Sequence, residues 1–61
     1  MKVFTYVGWL SNKRIEGIIQ GYVGDIFGNL TAIILITKSE SEDYRVNKFY
    51  PFGINSLKKY D

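Results

Sequence analysis

Arg14-Ile15-Glu16-Gly17-Ile18-Ile19-Gln20-Gly21-Tyr22-Val23-Gly24-Asp25-Ile26-Phe27-Gly28-Asn29-Leu30 carries two competing periodicities. Ile15, Ile18, Ile19, Tyr22, Val23, Ile26, Phe27 and Leu30 follow the spacing of one helix face, with Gly17, Gly21, Gly24 and Gly28 opposite. Four glycines inside one helix cost on the order of 3–4 kcal/mol relative to alanine, which a small core offsets poorly. As a strand, Ile15, Gly17, Ile19, Gly21 and Val23 share one face, and the glycines permit a sharp bend or close backbone approach. The expectation is a strand from about 14 to 23 followed by a glycine-bearing loop. The alternative is an α+β fold with a helix at about 14–28.

The flanking segments favour the all-β choice. Residues 2–10 are rich in Val, Phe, Thr, Tyr and Trp and precede a polar turn at Ser11-Asn12-Lys13, so they predict a strand. Leu30 to Thr37 is apolar on both faces and bounded by Gly28-Asn29 and by the Ser39–Asp43 polar run, the pattern of a buried central strand. Tyr44 to Tyr50 alternates weakly and stops at Pro51-Phe52-Gly53, whose residues favour a turn. Ile54 to Tyr60 predicts a last short strand. Residues 1–61 thus form a single small domain with no linker.

At 61 residues the chain buries only about 60% of the surface its unfolded form exposes. It has no cysteine for a disulfide and no histidine, so a structural zinc site would depend on carboxylates alone, and no cofactor is expected. Self-association is the remaining support, and a homo-oligomer is expected because 46% of the residues are hydrophobic. The absence of histidine and cysteine also removes the usual proton shuttles and nucleophiles, so the chain reads as no enzyme. Glu16, Asp25 and the Glu40, Glu42 and Asp43 cluster could supply paired carboxylates, but general acid/base work needs a cleft that shifts a pKa. The glycines fit neither a dinucleotide fingerprint nor a phosphate loop. Asn29-Leu30-Thr31 matches a glycosylation acceptor, without a secretory leader to give it meaning. The longest apolar run, Leu30 to Ile36, is far short of the ~20 residues that span a bilayer. A cytoplasmic protein without membrane contact is expected.

Five short strands with tight turns describe a small barrel of the SH3-like or Sm-like kind, or a strongly bent antiparallel sheet. Leu10-Ser11-Asn12-Lys13-Arg14-Ile15-Glu16-Gly17 resembles the hairpin opening of Sm-like proteins, the family that includes bacterial Hfq. Asp25-x-x-x-Asn29-Leu30 is similar to that family's Asp-x-x-Met-Asn-Leu run, and Phe52-Gly53 takes the place of its second short motif. The resemblance implies a base-binding pocket of Asp25, Asn29 and Phe52 at the inner rim of a ring, with Lys13 and Arg14 as basic neighbours for single-stranded RNA. The chain departs from the pattern where Gly28 replaces the methionine, Phe52 stands at a typically basic position, and two extra residues separate Gly17 from Asp25.

A formal charge of +2 is modest for a nucleic-acid binder, because several phosphates must be neutralised. The aromatic residues are the better lead, either as protein-interface anchors or, as in Lys48-Phe49-Tyr50, as stacking platforms for single-stranded bases beside a basic residue. Tyr50, Phe52, Tyr44 and Tyr60, with Lys48, are the candidate partner-binding set, since Tyr and Trp are enriched in interface hot spots. The competing division puts Trp9 and Phe49 in the core and leaves Tyr50, Phe52 and Tyr60 exposed. Ile, Lys, Asn, Tyr and Phe make up 27 of the 61 residues, a bias of AT-rich genomes. The expected function is a small binding protein that docks as a homo-oligomer on a protein partner and blocks or bridges it, in the manner of a phage or mobile-element inhibitor of a host or defence protein in the host-cell cytoplasm. The alternatives are an Sm-like RNA-binding ring and, third, a sponge for a small anionic ligand.

Overall fold

The computed structural model describes residues 1–10 and 12–60. Five antiparallel strands form one open sheet: β1 (Lys2–Val7), β2 (Lys13–Gly24), β3 (Leu30–Ser39), β4 (Phe49–Gly53) and β5 (Lys58–Lys59), in the order β4-β3-β2-β1-β5. The fold is therefore all-β, and the residues that could have made a helix over 14–28 instead make the longest strand and a tight loop. A single 3-10 turn at Ile54–Ser56 is the only helical segment among the described residues. Ser11, part of the expected first turn, lies outside them.

Strand alternation builds the core. Val3 and Thr5 of β1, Ile15 and Gly17 of β2, and Ala32, Ile34 and Ile36 of β3 point to one face and are buried. Val7, Ile19, Tyr44, Tyr50, Phe52 and Leu57 pack around them. Each fully buried Val or Ile contributes about 1.5–3 kcal/mol. The Thr5 hydroxyl is satisfied by donating to the Ser56 carbonyl at 2.8 Å, which ties β1 to the 3-10 turn.

Two bulges bend the sheet. At the first, Glu16 pairs with Lys38 and Gly17 with Ile36, so Thr37 is the extra residue on β3. Gly17 is required at that point: a Cβ there would lie 2.5 Å from the Leu35 carbonyl oxygen and against Ile34 Cγ2. At the second, Ile19 pairs with Ile34 and Gly21 with Ile33, leaving Gln20 unpaired. This slip corrects the expected face of β2. Beyond Gln20 the inward positions pass to Tyr22, opposite Ala32, and Gly24, opposite Leu30, while Gly21 and Val23 turn to the outer face. An extra residue in a strand exchanges its faces, and period-two reading of the sequence carries no sign of where that happens.

Two further expectations are corrected. Pro51-Phe52-Gly53 is strand and not turn, because β4 is an edge strand whose outer positions need no N–H. The last strand is shorter than 54–60, because the 3-10 turn uses its first half. The division of aromatics is reversed as well: Trp9 is 94% and Phe49 59% exposed, whereas Tyr50, Phe52 and Tyr60 are half-buried.

Candidate functional site

The expected partner-binding residues fall into two groups on opposite faces. Tyr44, Tyr50 and Phe52 interlock on the core side, with Tyr44 centred 5.0 Å from Tyr50 and 5.3 Å from Phe52. The Tyr50 hydroxyl accepts the Arg45 N–H at 3.1 Å, so this group closes the core beneath the β3–β4 loop. Lys48 is exposed at the end of that loop. Tyr60 lies on the outer face, edge-on to Phe4 at 5.9 Å.

Around Tyr60 the outer face carries a knit cluster of charge and aromatic rings. The Arg14 guanidinium sits 4.1 Å from the centre of the Phe4 ring and pairs with Glu16 at 3.0 Å. The Tyr60 hydroxyl, more than Arg14, holds the Glu16 carboxyl below the ordinary glutamate range, and Glu16 in turn raises Tyr60. Arg14 is raised first by Tyr6 and then by Glu16. A carboxylate held ionised in this way is a structural anion, opposite in character to a proton donor tuned toward neutrality.

The residues of the implied RNA pocket are also separated. Asp25 and Asn29 lock the β2–β3 loop: Asp25 Oδ1 accepts the N–H groups of Phe27 at 2.8 Å and Asn29 at 2.9 Å, and Oδ2 accepts Asn29 Nδ2 at 3.2 Å. These bonds, the Asn29 N–H foremost, hold the Asp25 carboxyl below its usual range. Gly28 closes the loop with a φ of 84°. Lys13 and Arg14 stand at the other end of β2, and Phe52 packs on the core. Within one chain these five residues form no common pocket.

What the residues place in solvent lies elsewhere, at the hairpin ends. Trp9 and Leu10, 94% and 90% exposed, project from the β1–β2 connection just after Gly8, whose φ of 109° turns the chain. Nearby, Glu40 extends the β2–β3 pairing by one step, because its carboxylate accepts the Arg14 N–H at 2.7 Å and its own N–H donates to the Arg14 carbonyl. A shallow depression between Gly8, Lys13 and the acidic Glu40–Asp43 loop lies beside the exposed pair. At the opposite end Ile26 and Phe27 are 92% and 81% exposed at the tip of the β2–β3 loop, flanked by Tyr22, Val23 and Leu30. Leu10, Ile26 and Phe27 were not singled out from sequence. The signal was there for the second pair, since Gly24-Asp25 and Gly28-Asn29 mark a tight turn that leaves its central residues no core to enter.

Among the described residues no three histidine, cysteine, aspartate or glutamate side chains group to hold a metal ion, and no helix is long and apolar enough to cross a membrane. No family model, curated protein or solved structure matches the chain.

Proposed function

We propose that the chain is a non-enzymatic protein-docking module whose anchor is Trp9, with Leu10 beside it and the acidic Glu40–Asp43 loop as its rim. The observation that carries this reading is the solvated pair Trp9–Leu10, which follows Gly8 just past the paired strand ends Val7 and Lys13. A tryptophan has only two χ angles to fix on binding and buries a large area in a partner pocket. The carboxylates around it favour a partner with a basic rim. Strand order and the 3-10 turn before β5 support the small SH3-like barrel as the scaffold. Tyr44, Tyr50 and Phe52 then act as the floor that positions the loop, a change of role from contact to support. Blocking or bridging of the partner, as a phage-type inhibitor does, is the biological setting that fits a module of this size.

The test uses the intact chain as bait in lysate with and without nuclease treatment, comparing wild type with Trp9→Ala. A retained protein partner whose affinity falls about thirtyfold or more in the variant, with unchanged circular dichroism, fits a hot spot worth ~2 kcal/mol. Trp9 is the only tryptophan, so its emission moves to the blue when the purified partner binds. Equal retention by Trp9→Ala would overturn the reading. Bound material that nuclease removes would replace it with the single-stranded RNA alternative, assembled between subunits.

A further inference from the structure

Among the described residues, the outer edge of β4 carries Pro51, which lacks an N–H, and β5 is two residues long, both lysine. β1 continues past its pairing with β5 from Thr5 to Val7, where the Thr5 side chain bonds to the 3-10 turn. A longer free stretch lies inside β2. β1 pairs with β2 only as far as Ile18, with one more bond from the Ile19 N–H to the Met1 carbonyl, so past the unpaired Gln20 the residues Gly21–Gly24 pair with β3 alone. That stretch, Gln20-Gly21-Tyr22-Val23-Gly24, has no charge and no proline. The Asp25 N–H to Asn29 carbonyl bond at 3.0 Å fixes the phase of the hairpin. Antiparallel alternation from it directs the N–H and C=O of Val23 toward β3 and those of Tyr22 and Gly24 outward.

We infer that this edge is a self-association site, where β2 of one copy pairs antiparallel with β2 of a second copy about a two-fold axis near Val23. In that register the outward groups of Tyr22 bond to those of Gly24 of the partner subunit, and the reverse bonds follow by symmetry. No like charges meet, because the paired segment has none. Side chains on both sides of the joint are apolar: Tyr22 and Leu30 on the core side, Val23 on the outer side, Ile26 and Phe27 beyond it. The surface area argues the same way. A folded monomer of 7.1 kDa exposes about 4,100 Å² by the general scaling, whereas this chain exposes 4662 Å². The excess of roughly 600 Å², taken over the whole chain with Trp9 and Leu10 included, is of the order of the ~800 Å² that each partner buries in a stable interface. The self-complementary Tyr22–Gly24 register makes the occupant a second copy of the same chain, which continues the sheet and covers the apolar hairpin. The site lies at the opposite end of β2 from Trp9 and stands independently of the docking reading.

Sedimentation equilibrium of the wild-type chain across a wide concentration range is the first test, and a reversible dimer of the 7.1 kDa chain is the expected result. Val23→Lys places two ammonium groups across the axis and should raise the dimer dissociation constant at least tenfold, whereas Val46→Lys, at an exposed position on the β3–β4 loop, should leave it unchanged. Wild type that stays monomeric at all concentrations overturns the inference, as does a Val23→Lys protein that dimerises like wild type. A wild-type ring of five to seven subunits also overturns it, since a ring requires a head-to-tail contact and not a two-fold one. The wild-type result stands whether or not the lysine variant folds, and partner retention by Trp9 is read separately.

Discussion

The two halves of β2 both mix glycine with apolar residues and do opposite things. Lys13–Ile19 lies between β1 and β3, buries Ile15 and Gly17, and presents Arg14 and Glu16 to the ordered cluster around Phe4 and Tyr60. Gln20–Gly24 has β3 on one edge and nothing on the other, and it leaves Tyr22 and Val23 half in solvent. A glycine in the first half is a packing requirement; a glycine in the second is not. Position relative to neighbouring strands decides whether an apolar residue of β2 becomes core or contact surface.

The largest expected effect breaks the first half. Gly17→Ala drives a methyl group into the Leu35 carbonyl and Ile34, at a cost of about 3 kcal/mol or more, against a total stability of roughly 3–9 kcal/mol for a chain of this length. Thermal unfolding followed by circular dichroism should show the cooperative transition lost or shifted far down. Next comes Phe52→Ala, which opens the aromatic floor beneath the β3–β4 loop and should destabilise by about 2 kcal/mol in urea titration. If Phe52 were instead an independent contact residue, stability would be unchanged and only partner binding would fall.

A smaller effect separates the halves by pH. Glu16 is depressed from 4.5, so its contribution is complete above the ordinary glutamate range and is lost as pH falls through the lower folded value. Tyr60 is raised from 10.0, so its contribution is complete below that value and is lost as pH rises toward the higher folded one. The cluster is thus intact through the neutral range and weakens at both extremes. Tyr60→Phe keeps the ring on Phe4 but removes the hydroxyl, and melting temperatures measured against pH should lose part of both slopes. Asp25 contributes to the acid slope as well, through the β2–β3 loop, so that slope should flatten only in part. The smallest effect sharpens the contrast: Gly21→Ala meets nothing within 4 Å and should change stability by less than ~1 kcal/mol, with stabilisation the favoured sign.

Much of the fold was legible because the signals were local. The apolar run at Leu30–Ile36 announced a strand paired on both sides, and the glycine count in 14–28 argued against a helix. The bulge at Gln20 was not legible, since it arises from how β2 meets β3, and with it went the faces of Gly21, Tyr22 and Val23. Pro51-Phe52-Gly53 read as a turn because proline and glycine are turn residues, and only the place of β4 at the sheet edge makes them strand. The aromatic candidates were sorted by residue type, which cannot distinguish Phe52 over the core from Trp9 on a turn. Asp25 and Asn29 satisfied a motif, yet the hydrogen bonds between them fold the loop.

Residue-resolved hydrogen exchange at several protein concentrations tests the division of β2 most directly. The predicted result is that the Tyr22 and Gly24 amides are protected in concentrated solution and lose protection on dilution, while those of Ile15 and Gly17 exchange slowly and independently of concentration. Tyr22 and Gly24 amides that exchange freely at every concentration would contradict it.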